Sequence, residues 1–306
     1  MHTSCLINNF NYRPFVGEAV DSVLAQSLPF DEIIVVDDGS TDGSADFLKA
    51  RYRNCPTLRV IAKPNRGQLS CFNEGFLASS GDLVFFLDAD DTYERTYLEE
   101  VRAVYEERRD CDFVFTARTK FGQEEGEIHS YPVSRDLGYS VVRGLCAKSW
   151  IGASTSALSM RREIVEQILP IPHVRDWITR ADDCLVFGAS LAGARKFYLD
   201  RPLVKYRVHA ANRHYKAKQR DPGKTFRRSL ALDRFFRYMT KRLDLDFNRS
   251  SLLDYAHQEF CTIERPTGAE LREYVRLLAK SKQRLFRKLS AILCLYRHKR
   301  YPRRFG

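Results

Sequence analysis

The chain has 306 residues, of which 44% are hydrophobic and 29% charged, enough to bury one large core or two smaller ones. Its eight cysteines are scattered with no CxxC pair, which argues against a zinc site or a disulfide framework and for a reducing compartment. The net charge of +11 is uneven: residues 1–150 hold 16 Lys/Arg against 24 Asp/Glu, and residues 151–306 hold 34 against 15.

The first 120 residues alternate two patterns. TSCLINNF reads as a strand, and PFVGEAVDSVLAQS carries apolar residues at helical spacing. EIIVVDDGS is a buried strand ending in Asp37, Asp38 and Gly39; Ser44 to Arg53 suits a helix, LRVIA a strand, and Ser70 to Ser79 a helix. LVFFLDADD is a second buried strand ending in acids, followed by a helix over Tyr97 to Arg109 and a strand at CDFVFTAR. Such alternation implies right-handed βαβ units, hence an α/β fold with a mostly parallel sheet covered on both faces. Ligands of open sheets bind outside the carboxyl ends of the strands, where both acid clusters fall. Residues 121–150 lose the periodicity and are expected to cross the active-site side of the sheet.

Pro222-Gly223 marks a boundary, dividing residues 1–221 from a helical, basic region at 222–306. In that region Leu271, Tyr274, Val275, Leu278, Leu285, Leu289, Ile292, Leu293 and Tyr296 are expected on one stripe, with Lys and Arg around it. Packing on the rest of the protein, a second subunit, or an anionic membrane surface would each satisfy such a stripe. No apolar run approaches the roughly 20 residues that span a bilayer. No leader-like segment follows Met1, so the expected location is cytoplasmic, with the inner face of the plasma membrane as a peripheral alternative.

Asp88, Asp90 and Asp91 crowd like charge at the end of a buried strand, and each raises the others' pKa. Two acids one residue apart present oxygens to a hard divalent cation such as Mg²⁺ or Mn²⁺, which bridges readily to substrate phosphates. A DxD triplet alone is short, and solvated or helix-capping acids account for it equally well. The longer stretches decide more. FDEIIVVDDGSTDGS, KPNRGQLSCFNEGFLASSGDLVFFLDADD, WIGASTSALSMRREIVEQI, RADDCLVFGASLAGA and YRVHAANRH together resemble glycosyltransferase family 2 over about residues 3 to 214.

That resemblance implies a GT-A, Rossmann-like fold and inverting transfer from a nucleotide-diphospho-sugar. It implies that Asp37 and Asp38 serve the nucleotide pocket, and that Gly67 and Asn73 lie on the nucleotide side. Asp90 would be the direct metal ligand, Asp88 would lie near the ribose or a metal-bound water, and Asp91 would support them or cap the next helix. RADDCL corresponds to the family's Glu-Asp motif, with Asp182 in the place of Glu and Asp183 as general base. Arg207 would contact the diphosphate and His209 complete the metal sphere; Asn212 would fix the loop, and Trp150 and Gly152 shape the acceptor side. Phe72 stands where some members carry a basic residue.

The expected partners are a nucleotide-sugar donor, UDP-linked by family habit, and a glycan or lipid-linked hydroxyl acceptor, as in bacterial cell-surface polysaccharide or glycolipid synthesis. Nucleotidyl transfer is a weaker alternative, because NNFNYRPF is not a glycine-rich phosphate loop. Nucleic-acid binding by the basic part is another, although its aromatics fall at helical core spacing, so no nucleic acid is expected as a partner.

Overall fold

The computed structural model describes residues 1–210, 221–245 and 249–302. The expected alternation opens the chain as β1 (Thr3–Asn9), α1 (Val16–Leu24), β2 (Glu32–Asp37), α2 (Ser44–Arg51), β3 (Leu58–Ala62), α3 (Gln68–Ala78) and β4 (Leu83–Asp88). Strands β1, β2 and β4 are buried along almost their whole length, as their unbroken apolar runs require. All four strands are parallel, in the order β3-β2-β1-β4. In that register Asn9 lies opposite Asp37 and Asn8 opposite Asp88. Two acid clusters 50 residues apart in sequence therefore flank the end of a single strand.

The chain continues through β5 (Thr92–Tyr93), α4 (Tyr97–Glu107), β6 (Phe113–Gly122), β7 (Gly126–Ile128), β8 (Arg135–Gly138), α5 (Val141–Ala147), β9 (Leu158–Arg161), α6 (Arg162–Ile168), α7 (Asp182–Leu191) and β10 (Lys196–Val208). These complete a ten-stranded sheet in which β9 runs antiparallel between β4 and β6, while β10 lies parallel to β6. Residues 121–150 do not cross the carboxyl ends of the parallel strands. They extend the sheet, β7 pairing with β6 and β8 with β10, because the strand hydrogen bonds of those two long edges are available to them.

The basic region forms α8 (Pro222–Arg242), α9 (Arg249–Leu252), α10 (Ala256–Cys261), α11 (Gly268–Ala279) and α12 (Leu285–Arg300). Asp221 caps α8 by accepting from the Gly223 and Lys224 amides, with Pro222 in the first turn. Thr267 and Glu270 form a reciprocal capping box on α11. The apolar residues of these helices belong to the same buried cluster as the sheet: Phe235, Phe260, Tyr274 and Leu295 are continuous with it.

The stripe expected from Leu271 to Tyr296 is split. Leu271, Tyr274 and Leu278 are buried in α11, whereas Leu285, Leu289, Leu293 and Tyr296 of α12 are exposed. The chain leaves helical geometry between Lys280 and Arg284, so the two halves of the stripe face different surroundings. Among the described residues no helix is long and apolar enough to cross a membrane.

Candidate active site

A cavity of about 670 Å³ opens over the carboxyl ends of β1, β2 and β4. Asn8, Asn9 and Asp38 line it from β1 and the loop after β2, Asp88 and Asp90 from the end of β4, and Asp182 from the start of α7. Gly39 makes the turn after β2 with φ +71°, and a Cβ there would stand 2.9 Å from the Asn65 amide nitrogen. Only glycine combines that backbone with so close an approach. The side-chain Oδ1 atoms of Asn8 and Asn9 are buried and have no hydrogen-bond partner among the described residues.

The two acids at the end of β2 divide their work. Asp37 accepts from Asn9 Nδ2 (2.6 Å) and from the Ser40 amide (2.9 Å), so both oxygens tie β1 to the following loop. Asp38 accepts from the Arg66 and Gly67 amides (2.9 and 2.8 Å) and pairs with Lys63, which folds the 63–67 loop around it at the cavity edge. Gly67 has φ +90°, and a Cβ there would meet Ile178 Cα at 2.5 Å. Asn73 lies away from the cavity lining and exchanges two hydrogen bonds with the Ile171 backbone (2.8 and 3.0 Å). Phe72 is buried edge-on against Phe86 and makes no polar contact there.

At the end of β4 the cost of crowded charge is visible. Removal from bulk water, then the neighbouring Asp90 charge, pushes the Asp88 carboxyl up to about 7, against the hydrogen bonds of Asn8 and Gln68. His209 Nε2 lies 3.0 Å from Asp90 Oδ2, its ring held between Phe15 and Tyr12. Asp91 caps no helix, since α4 begins only at Tyr97; it accepts from Ser156 Oγ (2.6 Å) and the Arg207 amide (2.9 Å). Arg207 turns its guanidinium to the Asp90 carbonyl (2.8 Å) and to Glu18 (2.6 Å), against the Phe121 ring. Among the described residues no three His, Cys, Asp or Glu side chains are gathered closely enough to hold a metal ion by themselves. Asp88 and Asp90 line the cavity and His209 stands against Asp90, so a divalent cation there would need further oxygen ligands to complete its sphere.

The first turn of α7 presents two adjacent acids to different surroundings. Asp182 faces the cavity, and burial followed by the Asp183 charge pushes its carboxyl up to about 6. Asp183 is fully buried and receives both Nε (2.8 Å) and Nη2 (2.9 Å) of Arg228 from α8, with Arg180 at 3.5 Å. Arg180 adopts φ +63° and itself lines the cavity.

Gln68 was not singled out by the sequence, although it follows Gly67 directly in the KPNRGQ stretch. Its Nε2 donates to Asp88 Oδ1 (2.9 Å) and its Oε1 accepts from the Ala181 amide (3.0 Å), linking the β4 acids to the α7 terminus. Trp150 and Gly152 do not line the cavity; a Cβ at Gly152 would meet Val186 at 2.7 Å, so that glycine serves packing. Asn212 lies outside the described residues.

The sequence profile described as Glycosyl transferase family 2 matches residues 4–169. An uncharacterized glycosyltransferase of Nostoc sp. is 33% identical over 222 residues, covering 71% of this chain and 68% of that protein. The putative teichuronic acid biosynthesis glycosyltransferase TuaG of Bacillus subtilis is 33% identical over 207 residues, covering 67% of this chain and 78% of TuaG. Among solved structures, S. aureus TarS 1-349 in complex with UDP-GlcNAc has a TM-score of 0.61 at 18% identity, covering 98% of this chain and 90% of that one. That likeness concerns the fold.

Proposed function

The chain belongs to glycosyl transferase family 2 and is a glycosyltransferase, and we propose that it transfers a sugar with inversion from a UDP-sugar to a hydroxyl acceptor. One observation carries this reading: a single cavity brings Asp38, Asp88 and Asp90, at the ends of β2 and β4, together with Asp182 of α7. Asp38 at the cavity edge would accept from the N–H groups of a nucleotide base. Asp88, Asp90 and His209 would hold Mn²⁺ or Mg²⁺, which when bound neutralises the diphosphate. The relatives support a donor and acceptor of this kind: TarS is solved with UDP-GlcNAc, and TuaG is named for teichuronic acid biosynthesis. The acceptor we propose is a hydroxyl of a cell-surface glycan or its lipid-linked precursor.

Inversion needs one base to take the acceptor proton while the nucleotide leaves from the opposite face of the sugar. Family resemblance assigns that task to Asp183; the geometry favours Asp182. Asp183 is fully buried with both oxygens occupied by Arg228, and it does not line the cavity. Asp182 looks into the cavity with a carboxyl raised toward neutrality, close to where a general base works best. The sugar carbon then forms its bond to the acceptor oxygen as the bond to the leaving phosphate oxygen breaks, and the proton passes to Asp182. The test is a donor screen reading free nucleotide release. Turnover should need Mn²⁺ or Mg²⁺ and stop in chelator, and Asp90→Ala should weaken donor binding only when metal is present. Full activity in chelator removes the metal from the scheme; no release from any nucleotide-sugar removes the transfer itself.

A further inference from the structure

Helix α12 is apolar on two opposite sides. Ala291, Leu295 and His298 are buried against the core, with His298 Nε2 2.8 Å from the Ile263 carbonyl oxygen. On the far side Leu285, Phe286, Leu289, Leu293 and Tyr296 are 53–82% exposed. At 100° per residue these five fall within one arc of about 100°, a continuous stripe along a helix of 16 residues. Single exposed leucines need no explanation, but five in a row on one side of a helix do.

The borders of the stripe identify what covers it. Arg297 stands along one side and Lys288 and Lys299 along the other, and no Asp or Glu occurs between Lys280 and Pro302. A second copy of the chain laid on this face would bring like charges together along both edges. A nucleic acid would meet the cations but leave the aliphatic side chains without an apolar partner. An anionic lipid surface satisfies both, taking the leucines and Phe286 below the headgroups and the cations among the phosphates.

We infer that α12 is a membrane-surface anchor whose exposed face binds bilayers bearing anionic headgroups. This surface lies outside the cavity, and its binding does not depend on which sugar is transferred. It would hold the enzyme where lipid-linked acceptors are found, without any segment crossing the bilayer.

The test uses the full chain and two kinds of vesicle: phosphatidylcholine alone, and phosphatidylcholine with an equal part of phosphatidylglycerol. The protein should sediment with the anionic vesicles and not with the neutral ones, and added salt should release it. Leu289→Glu combined with Leu293→Glu should lower partitioning at least about tenfold, and Arg297→Ala about fivefold. Both leucines are exposed, so melting temperature and donor hydrolysis should stay at the parent value, which separates lost anchoring from lost folding or lost chemistry. Equal binding to neutral vesicles, or anionic binding untouched by the double variant, would overturn the inference. So would self-association without lipid that the same variant abolishes, for the face would then be a contact between copies.

Discussion

Asp182 and Asp183 differ by one step along the chain and by nearly everything else. The helix start directs Asp182 to the cavity and Asp183 inward to Arg228, so a motif read as two acids becomes one cavity-facing acid and one ion-paired brace. Asp182→Asn should therefore lower turnover by about 10²–10⁴-fold with little change in donor affinity. In the parent enzyme the rate should fall as pH drops through about 6, because the base is lost when its raised carboxyl takes a proton. Asp183→Asn has a different signature. It removes the negative charge that raises Asp182, so the acid limb of the pH profile should move to lower pH while turnover survives. A rate in Asp183→Asn as low as in Asp182→Asn would return the base to Asp183.

At the scale of elements, α8 reaches back to α7 through Arg228, which makes this arginine a positioning residue and not a catalytic one. Arg228→Ala removes a positive charge that lowers Asp182 and leaves Asp183 with Arg180 alone, so the acid limb should move to higher pH, opposite to Asp183→Asn. Arg228→Lys should restore much of the parent profile; if neither variant shifts it, α8 is only packing there. The elements themselves were largely legible in the sequence, because β1, β2 and β4 are buried runs, the latter two ending in acids. What pattern alone does not give is adjacency. Asp38 and Asp88 meet because β1 lies between β2 and β4, and Gln68 joins α3 to α7 only after folding. Nor does spacing give the sense of α12, where apolar residues on two sides leave open which one faces the core. Residues 121–150 escape pattern for a related reason: their short strands carry little periodic signal of their own.

For the whole molecule, the division of the chain at residue 222 is a change of composition across which packing is continuous. One buried cluster runs from β1 to Leu295, and ion pairs cross the boundary: Arg135 with Glu270 (2.9 Å), Arg108 with Glu264 (2.7 Å) and Arg143 with Glu273 (2.7 Å). Glu259 of α10 also accepts the Val142 and Arg143 amides at the start of α5, inside the core. Arg135 and Glu270 are each about 95% shielded, so removing one partner strands a buried charge and costs about 3–5 kcal/mol. Glu270→Ala should thus lower the midpoint of denaturant unfolding sharply, and the parent should unfold in one transition seen alike by ellipticity and fluorescence. Truncation separates the two kinds of contact. Ending the chain at Arg284 removes α12, whose buried side is small, and should leave a cooperative transition at a reduced midpoint. Ending it at Asp221 takes away Phe235, Phe260 and Tyr274 and opens the apolar side of α5, so no cooperative transition should survive. A fragment of residues 1–221 that unfolds at the parent midpoint would show that the basic helices are an appendage, and the Arg228 and Glu270 couplings would then carry no stability.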